Sequence, residues 1–248
     1  MNLQDKCCLV TGGSSGIGAA VAGAFADGGA RVAVFSRRPA AVAGRENGGR
    51  GASGAFFAGT GDVADPVACE QMVRKTVEEL GAIDILVHSA GGPAPGSLLT
   101  VSPEEWHRAF DVHLHSIFYL CRAAVPFMKQ RGGGSIILIS SAAGLRGVSG
   151  ALAYSVVKGA IPQFVRSLGR ELADHNIRVN AVAPGVIRTP FQDYLSPEQV
   201  KNNIDNRIPL HREGTPADVM EAILLLATNA FITGETLTID GGMTMRIV

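Results

Sequence analysis

The sequence Cys7-Cys8-Leu9-Val10-Thr11-Gly12-Gly13-Ser14-Ser15-Gly16-Ile17-Gly18 joins an apolar run to a glycine-rich turn and then to a stretch with helical periodicity. The run predicts a buried strand, and the stretch Ile17–Asp27 predicts the first helix. A turn in this position leaves backbone N–H groups free at the helix N-terminus and removes Cβ atoms where the phosphates of a dinucleotide would approach. The glycines stand at 12, 16 and 18, not at GxGxxG spacing, and a purely structural turn is the alternative. The context predicts a dinucleotide site at Gly12, Ser14, Ser15, Gly16, Ile17 and Gly18.

Outward from this turn, short apolar runs alternate with longer stretches of helical periodicity. The runs predict strands at Cys7–Val10, Val32–Phe35, Ala55–Ala58, Ile83–Val87, Ile136–Ile139, Arg178–Val182 and Leu237–Ile239. The other helices are predicted at Pro66–Leu80, Pro103–Arg131, Ala153–Asp174 and Pro216–Thr228, and the Gly-rich stretch Arg45–Gly54 is predicted to be a loop. Apolar strands joined by helices are typical of parallel sheets. The 248 residues therefore predict one α/β domain over 1–248, a doubly wound, mostly parallel seven-stranded sheet with helices on both faces.

Composition excludes several classes of protein. Lys+Arg and Asp+Glu both number 22, and this balance argues against a general nucleic-acid or membrane-surface binder. The four cysteines form no CxxC pair or zinc-spaced Cys/His cluster, so no metal site is expected. Scattered cysteines without a secretory segment at the start predict a reduced, cytoplasmic protein.

The end of the second predicted strand bears on the choice of cofactor. A site for NAD usually has Asp or Glu here to bind the ribose hydroxyls. This chain has Ser36-Arg37-Arg38 instead. The arginines would attract the 2′-phosphate of NADP, which an acid would repel. The sequence favours NADP(H) over NAD(H), the alternative being a solvated basic turn.

A second constellation predicts acid–base chemistry. Tyr154 and Lys158 stand at i and i+4 of a predicted helix and so share one face. A free tyrosine has a pKa near 10, and a neighbouring ammonium stabilises the phenolate. Lys158 can also bind the nicotinamide ribose. Ser141 follows the strand Ile136–Ile139 and can donate to a carbonyl oxygen as that oxygen gains charge, with Ser140 as the rival.

Taken together, these motifs make the chain resemble the short-chain dehydrogenase/reductase family over essentially its whole length. Its markers occur in order: the TGxxxGIG turn Thr11–Gly18, the adenine-contacting pair Asp62-Val63, Ala90-Gly91, Ser141 with Tyr154 and Lys158, Pro184-Gly185-Val186-Ile187-Arg188-Thr189, and Asp240-Gly241-Gly242. The resemblance implies a Rossmann-type fold and reversible hydride transfer between NADP(H) and a small ketone or secondary alcohol.

The resemblance also implies roles for single residues. Ser141 would polarise the substrate oxygen, Tyr154 would transfer the proton, and Ile187 and Thr189 would contact the nicotinamide carboxamide. Asp62, Val63, Ala90, Gly91, Pro184 and Gly185 would complete the cofactor site. Family members of this length are usually homotetramers joined through the two long helices, here around 103–131 and 153–174.

Three departures from the family pattern bear on the site. The usual Asn-Asn-Ala-Gly reads His88-Ser89-Ala90-Gly91, and His113 aligns with the active-site asparagine. A histidine at 113 could relay protons itself because histidine titrates near neutral pH, or it could preserve only the backbone geometry or weaken catalysis. Pro162 lies inside the catalytic helix, where proline removes a hydrogen bond unless the helix bends.

The substrate site is predicted in the loops Gly92–Leu99, Ala142–Ala151 and 186–212, the last acting as a mobile lid. Leu145, Val148, Phe191, Tyr194 and Leu195 would form a mostly apolar pocket, or ordinary packing. A neutral ketone, a keto-ester or a 3-oxoacyl thioester fits, with only Arg146 and Arg188 pointing to an anion. The alternatives are an NAD-dependent alcohol or sugar dehydrogenase and a catalytically impaired cofactor-binding sensor.

Overall fold

A computed structural model describes residues 3–38, 50–51, 54–193 and 195–245. Its strands are β1 (Cys7–Thr11), β2 (Arg31–Ser36), β3 (Arg50–Gly51), β4 (Gly54–Thr60), β5 (Ile85–His88), β6 (Gly134–Ile139), β7 (Ile177–Pro184) and β8 (Thr236–Ile239). They form one sheet in the order β3-β4-β2-β1-β5-β6-β7-β8, in which every pairing is parallel except that of β3 with β4. The predicted seven-stranded parallel sheet is confirmed.

The helices cover both faces of this sheet. They are α1 (Gly16–Asp27), α2 (Pro66–Leu80), α3 (Pro103–Phe110), α4 (Ser116–Arg131), α5 (Ala142–Leu145), α6 (Leu152–Leu172), α7 (Pro197–Asn202) and α8 (Pro216–Thr228). Residues from α2, α4 and α6 pack against one face, and residues from α1 and α8 pack against the other. The adjacent Cys7 and Cys8 belong to opposite cores, as side-chain alternation along a strand requires.

Local capping explains why some predicted helix bounds hold. The Asp65 side chain accepts a hydrogen bond from the Val67 N–H and Pro66 occupies the first turn, so α2 begins at Pro66. Gly81, with φ +85°, ends it. A capping box between Thr215 and Asp218 fixes the start of α8 in the same way.

The structure corrects three sequence-based expectations. The stretch Arg45–Gly54 is not wholly a loop, because Arg50–Gly51 pairs with the start of β4, and residues 45–49 and 52–53 lie outside the described ranges. The long predicted helix Pro103–Arg131 contains a π-helical turn, Asp111–His115. The segment after β7 is partly helical, with a 3₁₀ turn at Pro190–Gln192, α7, and a second π turn at Asn203–Arg207.

Within these described ranges, no helix is both long enough and apolar enough to cross a membrane.

Candidate active site

A cleft of about 1070 Å³ opens beyond the carboxyl ends of the parallel strands. This is the edge of a doubly wound sheet where ligands bind. Every residue that the sequence assigns to the cofactor and catalytic sites lines this cleft except Gly18: Gly12, Ser14, Ser15, Gly16, Ile17, Ser36, Arg37, Arg38, Asp62, Val63, Ala90, Gly91, His113, Ser141, Tyr154, Lys158, Pro184, Gly185, Ile187 and Thr189.

The glycine turn forms one end of the cleft between β1 and α1. Gly12 has φ +71°, and a Cβ atom there would lie 2.6 Å from the Ala90 backbone. Gly18 lies beneath the turn, where a Cβ atom would stand 2.3 Å from the Gly12 carbonyl oxygen. Gly18 therefore shapes the turn without facing the cleft, while Ser14–Ile17 present their backbone to it.

The end of β2 supplies the charge beside this turn. Ser36 is buried and its hydroxyl donates to the Arg38 carbonyl oxygen, whereas Arg37 and Arg38 are exposed. Across the cleft, Asp62 forms an ion pair with Arg108 at 3.0 Å. Burial alone would raise the pKa of Asp62, but hydrogen bonds from the Ala64 N–H and from Arg108 outweigh it and lower that pKa. Asp62 is therefore ionised and paired with Arg108. Arg37 and Arg38 supply the positive charge at this end of the cleft.

The acid–base candidates meet at the centre of the cleft. Tyr154 and Lys158 lie one turn apart on α6, with the Lys158 Nζ 5.7 Å from the centroid of the Tyr154 ring. Ser141 lies at the N-terminus of α5, where its Oγ accepts from the Ala143 N–H at 3.2 Å. Lys158 is buried, its Nζ donates to the Ile139 carbonyl oxygen at 2.7 Å, and burial lowers its pKa to about 7.

Ser140 has a structural role that the sequence analysis did not predict. Helix α6 continues through Pro162, and a proline there cannot donate to the carbonyl of Lys158, four residues earlier. The Ser140 hydroxyl donates to that carbonyl oxygen instead, at 2.8 Å, and both residues are buried. The carbonyl oxygen of Lys158 therefore has a donor, which explains how α6 tolerates proline.

His113 is held in the π turn Asp111–His115. Its Nε2 lies 3.0 Å from the Gly92 carbonyl oxygen; since a carbonyl only accepts, Nε2 carries the proton. The buried Nδ1 makes no hydrogen bond with any described residue, and the ring stands edge-on to Tyr154 at 5.5 Å. Burial, aided by Lys158 and His88, lowers the pKa of His113 to about 2. This low pKa argues against the proton-relay alternative, in which His113 would titrate near neutral pH.

His88, the other departure, does not line the cleft. It is buried, with Nδ1 2.8 Å from the Thr11 Oγ1 and Nε2 3.1 Å from the Ser116 Oγ. Ser116 donates to the Val112 carbonyl oxygen, so His88 Nε2 is the donor to Ser116 and Nδ1 accepts from Thr11. Burial lowers the pKa of His88 to about 3. This neutral ring connects β1 and β5 to the start of α4 through hydrogen bonds.

The outer end of the cleft differs most from the expectation. Val148, Phe191 and Leu195 line it, Leu145 does not, and Tyr194 falls outside the described residues. Arg188 does not line the cleft and forms an ion pair with Glu213. The sequence analysis missed a group of polar lining residues, Asn203, Asn206, Arg207 and Thr244. The capping box Ser196-x-x-Gln199 before them was a readable signal for α7.

The fold and this site define the class: an oxidoreductase on a doubly wound α/β sheet. The family model that describes enoyl-(acyl carrier protein) reductases matches residues 12–244. The 3-oxoacyl-[acyl-carrier-protein] reductase FabG of Thermotoga maritima is 36% identical over 245 residues, covering 98% of this chain and 99% of its own. The enzyme of the same name from Escherichia coli is 38% identical over 251 residues, covering 99% and 100%.

Solved structures agree with these sequence relatives. The ligand-free aldohexose dehydrogenase of Thermoplasma acidophilum superposes with a TM-score of 0.87 at 30% identity, covering 99% of this chain and 96% of its own. The chain belongs to the short-chain dehydrogenase/reductase family.

Proposed function

We propose that this protein is an NADPH-dependent reductase of small 3-oxoacyl thioesters or keto-esters, reversibly transferring hydride between NADP(H) and the carbonyl carbon. The observation that carries the proposal is the convergence of Ser141, Tyr154 and Lys158 on the cleft that begins at the glycine turn. The two relatives described above are named as 3-oxoacyl reductases, which supports the choice of substrate.

The residues present fit NADP(H). The glycine turn provides a cradle at the N-terminus of α1, where a Cβ atom at Gly16, for example, would press on Thr189 at 3.2 Å. At the end of β2, Ser36 leaves room where an acid would repel a 2′-phosphate, and Arg37 and Arg38 can bind it. The bound cofactor supplies the hydride.

The central residues divide the remaining chemistry. The Ser141 hydroxyl donates to the carbonyl oxygen and stabilises the charge that develops there. Tyr154 gives its phenolic proton to that oxygen, and the ammonium of Lys158 stabilises the resulting phenolate. Lys158 also binds the nicotinamide ribose. His113 acts without changing its charge, holding Gly92 through Nε2 and bracing the Tyr154 ring edge-on.

The segment 186–212 covers the substrate in this proposal. Phe191 lies against the Tyr154 ring at 6.1 Å, so a substrate at Tyr154 also meets this segment. Residues 1–248 act as one dinucleotide-binding and catalytic domain.

The proposal extends to assembly and location. Phe118 on α4 and Val156 on α6 expose apolar side chains on the two long helices, which supports a homotetramer joined through them. All four cysteines are buried thiols, which supports a cytoplasmic protein.

The direct test is steady-state reduction of acetoacetyl-N-acetylcysteamine with NADPH and, separately, with NADH. We expect kcat/KM to be at least about tenfold higher with NADPH, equivalent to about 1.4 kcal/mol. Equal or faster reaction with NADH would contradict the cofactor assignment and favour an NAD-linked alcohol or sugar dehydrogenase, an alternative supported by the similarity to aldohexose dehydrogenase. NADPH binding without turnover of any carbonyl would favour a sensor.

A further inference from the structure

The outer end of the cleft carries two arginines from different parts of the chain. Arg207 closes the π turn Asn203–Arg207, and Arg146 follows α5. Both line the cleft that contains Tyr154, and the apolar Val148, Phe191 and Leu195 line it as well. A ligand held at Tyr154 would therefore share this cleft with apolar side chains and with the positive charge of both arginines.

Among the described residues, each guanidinium group donates to one other lining residue. Arg207 Nη1 donates to the Asn203 Oδ1 at 2.8 Å, and Asn203 is itself 3% exposed. Arg146 Nε donates to the Thr244 carbonyl oxygen at 3.0 Å. Because a guanidinium has five N–H donors in a planar fork, each arginine keeps donors for a carboxylate or phosphate.

The positive charge of the arginines that line the cleft is not balanced by acidic lining residues. Among the described lining residues only Asp62 and Glu105 are acidic. Asp62 pairs with Arg108, and Glu105 Oε2 accepts from the Ser102 N–H at 2.9 Å in the cap of α3. Since the whole chain has a formal net charge of zero, the excess of positive charge in the cleft is local.

Local backbone geometry also points to the second π turn. In the described part of the chain, the π turns are Asp111–His115 and Asn203–Arg207. The first supplies His113 to the cleft, and the second supplies Asn203, Asn206 and Arg207. Single π turns within helices concentrate at functional sites because they redirect neighbouring side chains.

We infer that the substrate carries an anionic group, a carboxylate or a phosphate, remote from its reacting carbonyl, and that Arg207 and Arg146 bind this group. The inference rests on the proposed function and names the substrate class for the same site. Among the substrates that the sequence analysis left open, the inference favours those that carry a remote anion.

Two matched substrate pairs test this assignment with NADPH. Acetoacetyl-coenzyme A and acetoacetyl-N-acetylcysteamine share the reacting thioester, and only the first carries phosphate. The 1-ethyl monoester and the diethyl ester of 3-oxoadipic acid share the reacting keto-ester, and only the first carries a remote carboxylate. The pair in which the anion is favoured identifies the source of the charge.

We expect wild-type kcat/KM to favour one anionic member about tenfold, equivalent to about 1.4 kcal/mol, chiefly through KM. Arg207→Gln and Arg146→Gln should each remove most of this preference and leave the neutral member within about twofold, while Arg207→Lys retains part of it. High salt should reduce the preference as well. The matched control is Arg74→Gln on α2, outside the cleft and paired with Glu70, which should change neither pair.

Reduction of all four compounds without dependence on Arg207 or Arg146 would overturn this inference and leave the proposed function standing. Equal loss for the charged and neutral members in both variants would also overturn it. Failure to reduce any of the four would overturn the proposed function, and the inference with it.

Discussion

The inner and outer parts of the cleft are built differently. The inner part consists of residues at strand ends and on α6, such as Lys158 and Ser140, which are buried and hydrogen-bonded to neighbouring backbone. The outer part is formed by short helical turns after β7, where Arg207 and Asn206 are exposed. Buried polar groups must find partners, so the inner part has one stable arrangement, whereas the outer side chains can change with little cost to folding. Chemistry and specificity should therefore respond separately to mutation.

The largest expected effect is at Lys158, where one substitution should lower activity and raise stability. Lys158→Met should lower kcat roughly a thousandfold, because Tyr154 loses the charge that stabilises its phenolate. The same change should stabilise the fold at pH 7 by roughly 2–4 kcal/mol. Burial lowers the folded-state pKa of Lys158 to about 7, below its unfolded value of 10.5. The unfolded chain therefore binds more protons between those values, and wild-type stability falls as pH falls through that range.

Urea unfolding of both forms at several pH values, together with steady-state rates, measures the two effects. The stability gain should be fully present at pH 7 and should shrink as pH approaches 10.5. A lower free energy of unfolding for Lys158→Met than for the wild type at pH 7 would contradict this prediction and show that Lys158 stabilises the fold.

A smaller effect separates two adjacent serines in the inner part. Ser141→Ala should lower kcat about a hundredfold, because a donor to the developing oxyanion is lost. Ser140→Ala should leave kcat within about threefold and cost about 1–3 kcal/mol of stability, since the Lys158 carbonyl oxygen loses its buried donor. Equal kinetic losses in the two variants would contradict this division of roles.

The link between Ser140 and Pro162 allows a double-mutant test. Pro162→Ala restores an N–H that can reach the Lys158 carbonyl, so Ser140→Ala should cost less stability in that background than in the wild type. Additive losses of unfolding free energy would show that the hydroxyl does not replace the missing backbone donor.

The third effect concerns acid stability. Burial lowers the pKa of His88 to about 3, below its unfolded value of 6.5, so the unfolded chain binds more protons between those values and stability falls as pH falls through that range. Between pH 7 and pH 5, the free energy of unfolding should fall by about 2 kcal/mol less in His88→Asn than in the wild type. Urea unfolding at both pH values measures this loss. The matched control is His175→Asn, which replaces a histidine on the exposed surface. An identical loss in wild type and His88→Asn would refute the buried neutral state of His88.

The smallest effect lies at the solvent-exposed end of β2. Arg37→Gln and Arg38→Gln should together raise the Kd for NADPH about tenfold, because charge-assisted bonds to the 2′-phosphate are lost. The Kd for NADH should stay within about twofold. Fluorescence titration of each cofactor measures both constants, and parallel weakening of NADPH and NADH would mean that these arginines do not select the phosphate.

The same contrast explains what could be predicted from the sequence. Tyr154, Lys158 and Ser141 were found because their spacing places them on one helix face and one strand end, and the sheet fixes the rest. The sequence placed His113 at the site but left its role open, because the burial that lowers its pKa is a tertiary property. Arg207 was missed because 186–212 was predicted to be a loop, so neither α7 nor the π turn that carries Arg207 was expected.

The most direct test of the central claim is a single turnover of enzyme-bound NADPH on mixing with acetoacetyl-N-acetylcysteamine, comparing wild type with Tyr154→Phe. We expect the variant to bind NADPH with a Kd within about twofold of wild type and to oxidise it about a thousandfold more slowly, since only the proton donor is lost. Oxidation at a rate within tenfold of wild type would contradict the account, because another group would then supply the proton.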